Sequence, residues 1–439
     1  MARLTFKGGI HPYEGKELSQ DREAREILPG KILVYPLNQH IGAPATPIVA
    51  KGDRVLKGQK IAEASGFISA NIHSSVSGIV KVIEPRMTVA GVKAEAIVIE
   101  NDEQYEEVEY HPLKQPIDKL SREEIVNQVK EAGIVGMGGA GFPSNVKLSP
   151  KNPEQIEYVI ANCSECEPYL TSDYRRMVEE TQKIVQGMQI VLQLFPNAKG
   201  VFGIEDNKPK AIEAIQKEIA GKQRMEVAIL QTKYPQGGER TLIKAVTGRE
   251  INSKMLPADA GCVVHNSDTL VAIYRAVCVG EPLIQGMVTV TGTAVETPCN
   301  FRVSLGMMAE DLLEAAGGFK EPPEKIIIGG VMMGRAVADL DIPIHKTFSS
   351  ILAMTKDEVA ANEPSNCIKC GRCATVCPSR IIPQMVAEAA SHGDKERFVQ
   401  INGMECCECG CCSYICPAKR HLTQTIATMR KQVLAERKK

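Results

Sequence analysis

From Cys367 the chain reads CIKCGRCATVCP, and from Cys406 it reads CCECGCCSYICP, so one spacing, C-x2-C-x2-C-x3-C-P, occurs twice at a constant offset. Thiolates spaced in this way ligate iron-sulfur cubanes: three from one tight loop reach three corners, and the fourth, ahead of proline, is aimed at the cluster of the other loop. The pattern assigns Cys367, Cys370, Cys373 and Cys416 to one 4Fe-4S cluster, and Cys406, Cys409, Cys412 and Cys377 to a second. Structural zinc instead uses paired C-x2-C units set apart by a longer loop. Cys407 and Cys411 fall outside the repeat and read as small buried neighbours of the clusters. Two such clusters predict electron transfer, and whatever feeds them must lie upstream.

Upstream, residues 133–147 read GIVGMGGAGFPSNVK, in which Gly136, Gly138 and Gly141 satisfy G-x-G-x-x-G. A dinucleotide fingerprint must follow a strand. Here Ser121 and Glu124 form a capping-box pattern and Ile125, Val126 and Val129 recur at helical spacing, so a helix precedes the glycines and the fingerprint fails its context. The glycine density suits backbone amides that approach a flat or anionic ligand, or else a tight structural turn. Strand-like runs IEYVIANC, KGVFGIED and MEVAIL then alternate with helical ones, the first a long helix to about Leu194, which predicts a parallel sheet with helices on its faces. Ligands gather at the carboxyl ends of such strands. NCSECEPY puts Asn162, Glu165 and Glu167 at one such end, and VVHNSDTL puts Asn266 in another polar cluster. Cys163 and Cys166 make a lone C-x2-C with no second pair nearby and read as packing residues.

GMGGAGFPSNVK, NCSECEPY and YPQGGERTL resemble the flavin- and NADH-binding subunit of respiratory complex I. Together with the two cysteine motifs and the N-terminal segment, nearly the whole chain resembles the C subunits of Rnf complexes, which couple ferredoxin and NAD to ion transport. The resemblance implies non-covalent FMN lined by Gly136, Gly138, Gly139 and Gly141, with Phe142 as a stacking ring and Lys147, Asn162 and Asn266 at its polar edge or phosphate. It sets Glu165, Glu167 and Glu239 toward the nicotinamide and ribose of NAD(H), with Glu165 and Glu167 as the catalytic residues. Met137 replaces an arginine of the complex I pattern, Ser164 an aspartate, and Pro150 an aromatic residue, departures that bear on the NADH contacts more than on the flavin. The implied partners are integral membrane and flavin/iron-sulfur subunits, and the implied location is peripheral, on the cytoplasmic side of the cell membrane. A soluble flavin/iron-sulfur reductase such as a cobalamin reductase, or a non-catalytic electron-carrying scaffold, are the alternative readings.

To position these groups, 439 residues call for several modules. The expected architecture is multidomain α/β. Residues 1–115 form a β barrel-sandwich hybrid with an N-terminal arm, 116–284 a Rossmann-like parallel FMN/NADH domain, 285–350 a β-grasp module, 351–422 a helical two-cluster ferredoxin domain and 423–439 a basic helix. The barrel segment resembles a biotinyl or lipoyl carrier, but SANIHSSVSG offers no lysine at the tip, and His73 there reads as a hydrogen-bonded loop residue. Leu422, Ile426, Met429 and Val433 share one helical face, which predicts a helix packed on its own module. Lys and Arg number 52 against 53 Asp and Glu, a formal charge of -1, so no whole-chain attraction to nucleic acid follows. No apolar run is long enough to span a bilayer and the start carries no secretory pattern, so reduced thiols are expected.

Overall fold

The structure is a computed structural model that describes residues 3–436. A four-stranded parallel sheet lies at its centre, in the order Met225–Leu230, Lys199–Glu205, Tyr158–Cys163 and Cys262–Asn266. Near-continuous apolar runs suit strands covered on both faces, and Val159, Ile160, Val201, Phe202 and Ile204 are wholly buried. Helix Arg122–Glu131 begins at the expected capping box of Ser121 and Glu124. The long helix expected up to Leu194 is two, Ser172–Glu179 and Thr181–Gln193, with Glu180 between them at φ -127° and ψ 31°. The buried Glu180 carboxylate meets Arg176, Lys183, Arg275 and Arg302 within 4 Å, and its backbone leaves helical geometry where it gathers these four cations.

Two antiparallel sheets make the N-terminal barrel, one from Ile32–Pro36, Lys93–Asn101, Gly78–Met87 and Arg54–Val55, the other from Thr46–Pro47, Lys60–Glu63 and Ile72–His73. Leu33, Tyr35, Val55, Ile61, Ile97 and Ile99 fill its core. His73 is no loop residue: it lies in a strand, buried, with its Nδ1 unpartnered among the described residues. Burial, with Lys346 and Lys60 near, drives its pKa well below the usual imidazole value.

The third sheet has six strands in the order Arg25–Glu26, Cys299–Ser304, Gln285–Thr291, Ser350–Met354, Lys325–Ile328 and Arg335–Val337. Ser350–Met354 straddles the boundary expected at 350, pairing with strands on both sides, because the apolar run SILAM is buried at the sheet centre. Arg25–Glu26, from the N-terminal arm, covers the other edge.

The cysteine-rich end carries helices Pro383–Ser391, Lys395–Gln400 and Leu422–Glu436 around Val386, Phe398 and the cysteines. As expected, the last helix turns Leu422, Ile426, Met429 and Val433 into that core. Burying them contributes about 2 kcal/mol each. Among the described residues no helix is long and apolar enough to cross a membrane.

Candidate functional site

After helix Arg122–Glu131 the chain reverses at Gly133, whose φ is 65° and where a Cβ would stand 2.2 Å from Asn71 O. Buried Lys346 donates from Nζ to Gly133 O at 2.7 Å and also to Asn71 O, and so ties the loop to the barrel. Gly136 N donates to Phe142 O at 2.8 Å and closes the loop, while Met137 N donates to Thr269 Oγ1 at 2.9 Å. Gly138, Gly139 and Ala140 are left exposed at the crest, and Phe142 is half-buried. A Cβ on Gly139 would meet nothing within 4 Å, one on Gly138 would lie 3.1 Å from Asn266 Nδ2, and Gly141 is wedged against His40 and Thr347.

Asn162 and Asn266 are register partners at the carboxyl ends of adjacent strands. Asn162 Nδ2 donates to Gly237 O at 2.8 Å, and Asn266 Nδ2 to Asp173 Oδ2 at 2.8 Å. Lys147 Nζ donates to Val264 O at 2.9 Å and lies 3.5 Å from Glu239 Oε1. The fold therefore gathers the glycine crest, Lys147, Asn162, Glu239 and Asn266 around one group of strand ends. Polar atoms without partners among the described residues concentrate in the same segments: Ser164 Oγ, Ser267 Oγ, both ring nitrogens of His265 and both amide atoms of Gln236. An unobstructed run of glycine amides beside two asparagines, a lysine and these orphaned groups fits a flat ligand with a polar rim and a phosphate. His265 carries a faint signal in the sequence, a lone imidazole in an apolar strand.

The two glutamates of NCSECEPY diverge. Glu165, at φ 47°, accepts from Asp173 N at 2.7 Å and Tyr174 N at 3.3 Å, so it caps helix Ser172–Glu179. Its Oε2 is 3.9 Å from the Nζ of Lys16, which itself donates to Glu165 O at 2.8 Å, Glu167 O at 3.1 Å and Leu170 O at 2.6 Å. Burial pushes the Glu165 carboxyl up to about 7 despite that cation. Burial likewise raises Asp173 to about 6, with Asp268 adding to it. Glu167 turns to another module, accepting from Met332 N at 3.2 Å and Met333 N at 3.0 Å, and burial raises it to about 7. Lys16 had no signal in the sequence: it reaches this loop from 149 residues away.

At the cysteine-rich end, Cys377, Cys406, Cys409 and Cys412 line one small cavity together with Cys407, Cys411, Ser379, Thr423, Ile381 and Ile426. Glu408 N donates to Cys406 Sγ at 3.4 Å, and the Cys412 Sγ lies 3.3 Å from Thr423 Oγ1. Among the described residues no three His, Cys, Asp or Glu side chains close on a single ion. A lining rich in thiols and apolar side chains suits a soft iron-sulfur cluster, whose corners keep thiolates farther apart than one ion does. Of the other expected set, Cys373 is buried, Cys416 half-buried, and Cys367 and Cys370 exposed.

The cavity's loop abuts the unit built on the parallel sheet. Ile10, Tyr234, Cys409 and Cys411 are buried together, with Cys166, Met332, Val376 and Cys407 packed against them. Cys411 Sγ donates to Tyr234 O at 3.8 Å, and Cys166 Sγ accepts from Gly237 N at 3.2 Å. The N-terminal arm threads the seam: Ile10 N donates to Tyr234 O at 2.8 Å, and Gly9 N to Val376 O at 2.9 Å. Glu405 pins it from the side, accepting from Ser253 N at 2.8 Å and pairing with Arg240 at 3.2 Å.

Residues 129–275 match the family described as the Nuo51 FMN-binding domain, 4–104 the RnfC barrel sandwich hybrid domain, 287–336 the SLBB domain and 363–382 a 4Fe-4S binding domain. The chain is 47% identical, over 87% of its length and 84% of the relative's, to the C subunit of the proton-translocating ferredoxin:NAD+ oxidoreductase complex of Clostridium ljungdahlii. It is 42% identical, over 99% of its length and 98% of the relative's, to the C subunit of the Na+-translocating ferredoxin:NAD+ oxidoreductase complex of Acetobacterium woodii. Among solved structures, an air-oxidized NAD+-reducing NiFe-hydrogenase superposes with a TM-score of 0.51 at 18% identity, covering 76% of this chain and 67% of that one, a likeness of fold.

Proposed function

Since the chain belongs to the family of C subunits of ion-translocating ferredoxin:NAD+ oxidoreductase complexes, we propose that it exchanges electrons between NAD(H), non-covalent FMN and two 4Fe-4S clusters. Bound FMN supplies the conversion between the two-electron chemistry of NAD(H) and the one-electron chemistry of the clusters. The amides of Gly138–Ala140, with Gly136 and Gly141 shaping the loop, carry the flavin plane beside Phe142, and Lys147, Asn162 and Asn266 take its polar edge and phosphate. Glu239 and the buried Glu165 stand at the nicotinamide end, while Glu167, expected there as a catalytic residue, spends both carboxylate oxygens on the amides of Met332 and Met333 and stays out of the hydride step. Cys367, Cys370, Cys373 and Cys416 hold one cluster in a helical two-cluster ferredoxin domain, and Cys377, Cys406, Cys409 and Cys412 hold the other. Ion movement belongs to integral membrane partners, against which this chain sits peripherally on the cytoplasmic side beside further flavin/iron-sulfur subunits.

One observation carries this reading: the loop of the cysteine-lined cavity packs directly on Cys166 and Tyr234, at strand ends of the FMN-binding domain. The purified, iron-reconstituted chain should yield FMN on extraction and about eight irons, two four-iron clusters' worth. NADH should then bleach both the flavin and the iron absorbance. If dithionite bleaches the iron and NADH never does, the reading fails.

A further inference from the structure

The β-grasp module has no role in the reading above, yet one of its hairpins enters the seam. Strands Lys325–Ile328 and Arg335–Val337 pair antiparallel, and their turn, Gly329–Gly334, closes with Gly334 N donating to Gly330 O at 2.7 Å. One side of that turn receives Glu167. Its carboxylate takes the amides of Met332 and Met333 and lies so close over Gly330 that a Cβ there would be 2.0 Å from Oε2. The other side carries Met332, whose Cε and carbonyl oxygen stand 3.1 and 3.3 Å from where Gly410 would bear a Cβ. Gly410 sits between Cys409 and Cys412, at φ 83°. Met332 also packs in the apolar group formed by Tyr234, Cys409 and Cys411. A single turn thus touches the strand-end loop of the FMN-binding domain through a charge-assisted pair of hydrogen bonds and the cysteine loop through a thioether.

We propose that the Gly329–Gly334 turn is a strut that sets the spacing between the flavin site and the 377/406/409/412 cluster, with Glu167 and Met332 as positioning residues. This rests on the flavin-to-cluster reading given above. Glutamine at 167 has one acceptor where the turn presents two donors, so the grip loosens without a change of size. Alanine at 332 removes the thioether, while leucine restores the volume.

The test uses the full-length, FMN- and iron-loaded protein mixed anaerobically with NADH, following flavin bleaching and iron-sulfur bleaching as separate phases. Glu167→Gln and Met332→Ala should keep wild-type flavin content, iron content and flavin phase. Both should slow the iron-sulfur phase about tenfold or more, since ångström misplacement of reacting groups has effects of that order. Met332→Leu should recover it. Amide exchange over residues 406–412, measured without NADH, should quicken in the two slow variants. An unchanged iron-sulfur phase in both overturns the strut, as does loss of iron from either. A flavin phase lost in Glu167→Gln alone also overturns it and puts Glu167 at the nicotinamide. Should wild-type protein show no NADH-driven phase while dithionite bleaches its clusters, the electron-transfer reading fails, and amide exchange alone then judges the contacts of the turn.

Discussion

Lys16→Met tests how the N-terminal arm holds the strand-end loop. Lys16 is 6% exposed, and its ammonium donates to the carbonyls of Glu165, Glu167 and Leu170 while standing 3.9 Å from the Glu165 carboxylate. Hydrogen bonds from a charged donor are worth about 1.5–3 kcal/mol each. Methionine fills the space, relieves the burial of the ammonium and leaves three carbonyls unpaired, so the net loss should be about 3–5 kcal/mol, the range for breaking one side of a buried pair. The loss has a pH signature. Burial already lifts Glu165 to about 7, and without Lys16 its ionised form loses the nearest cation, so the penalty is largest above that value and shrinks as acid protonates the carboxyl. Amide exchange over residues 165–174, together with thermal unfolding at about pH 8 and pH 5, reads both effects. Adding Glu165→Gln to Lys16→Met should recover about 1–3 kcal/mol, the coupling expected of contacting residues. A loss below about 1 kcal/mol at the higher pH, or a double variant no better than the sum of the two single changes, would refute the argument.

Three more outcomes are expected. Cys377→Ala and Cys406→Ala should each remove about four of eight irons, and the double variant no more than either alone, if both thiols serve one cluster; iron near zero in the double variant would mean that they serve two. Gly139→Ala should leave the unfolding temperature unchanged, since its Cβ meets nothing within 4 Å, yet weaken FMN retention in equilibrium dialysis; undiminished retention would move the flavin off this glycine. Glu167 is half-buried, and desolvation raises its carboxyl to about 7. A carboxyl with a raised folded pKa adds stability below its unfolded value that is lost as pH climbs through the folded one, so Glu167→Gln should flatten the fall in stability between about pH 4.5 and 7 by about 3 kcal/mol, read by unfolding at stepped pH.

Much of this molecule is legible where signals are local. The parallel strands follow from unbroken apolar runs, helix Arg122–Glu131 from its Ser121–Glu124 cap, and the buried face of the final helix from the spacing of Leu422, Ile426, Met429 and Val433. Cys377 lines one cavity with Cys406, Cys409 and Cys412, and Cys407 and Cys411, outside the repeat, line it as well. What escaped the sequence depends on partners far along the chain. The break at Glu180 answers to Arg275 and Arg302, so nothing in the helix-favouring run around it marks the interruption. Lys16 sits in an unremarkable KEL, and only folding brings it beneath the loop that it supports. Glu167 read as a strand-end carboxylate because the backbone amides that engage it belong to a hairpin of another module.

The arm in the seam also orders events during synthesis. Phe6 accepts from Lys233, 227 positions further along the chain, and Gly9 bonds Val376, farther still. The ribosome releases those first residues long before either counterpart exists, and long-range closures of this kind come late in folding. The cysteine loops are themselves made last, after both the arm and the Tyr234 segment, so the seam over Cys409 and Cys411 closes only once the cysteine-rich end has emerged.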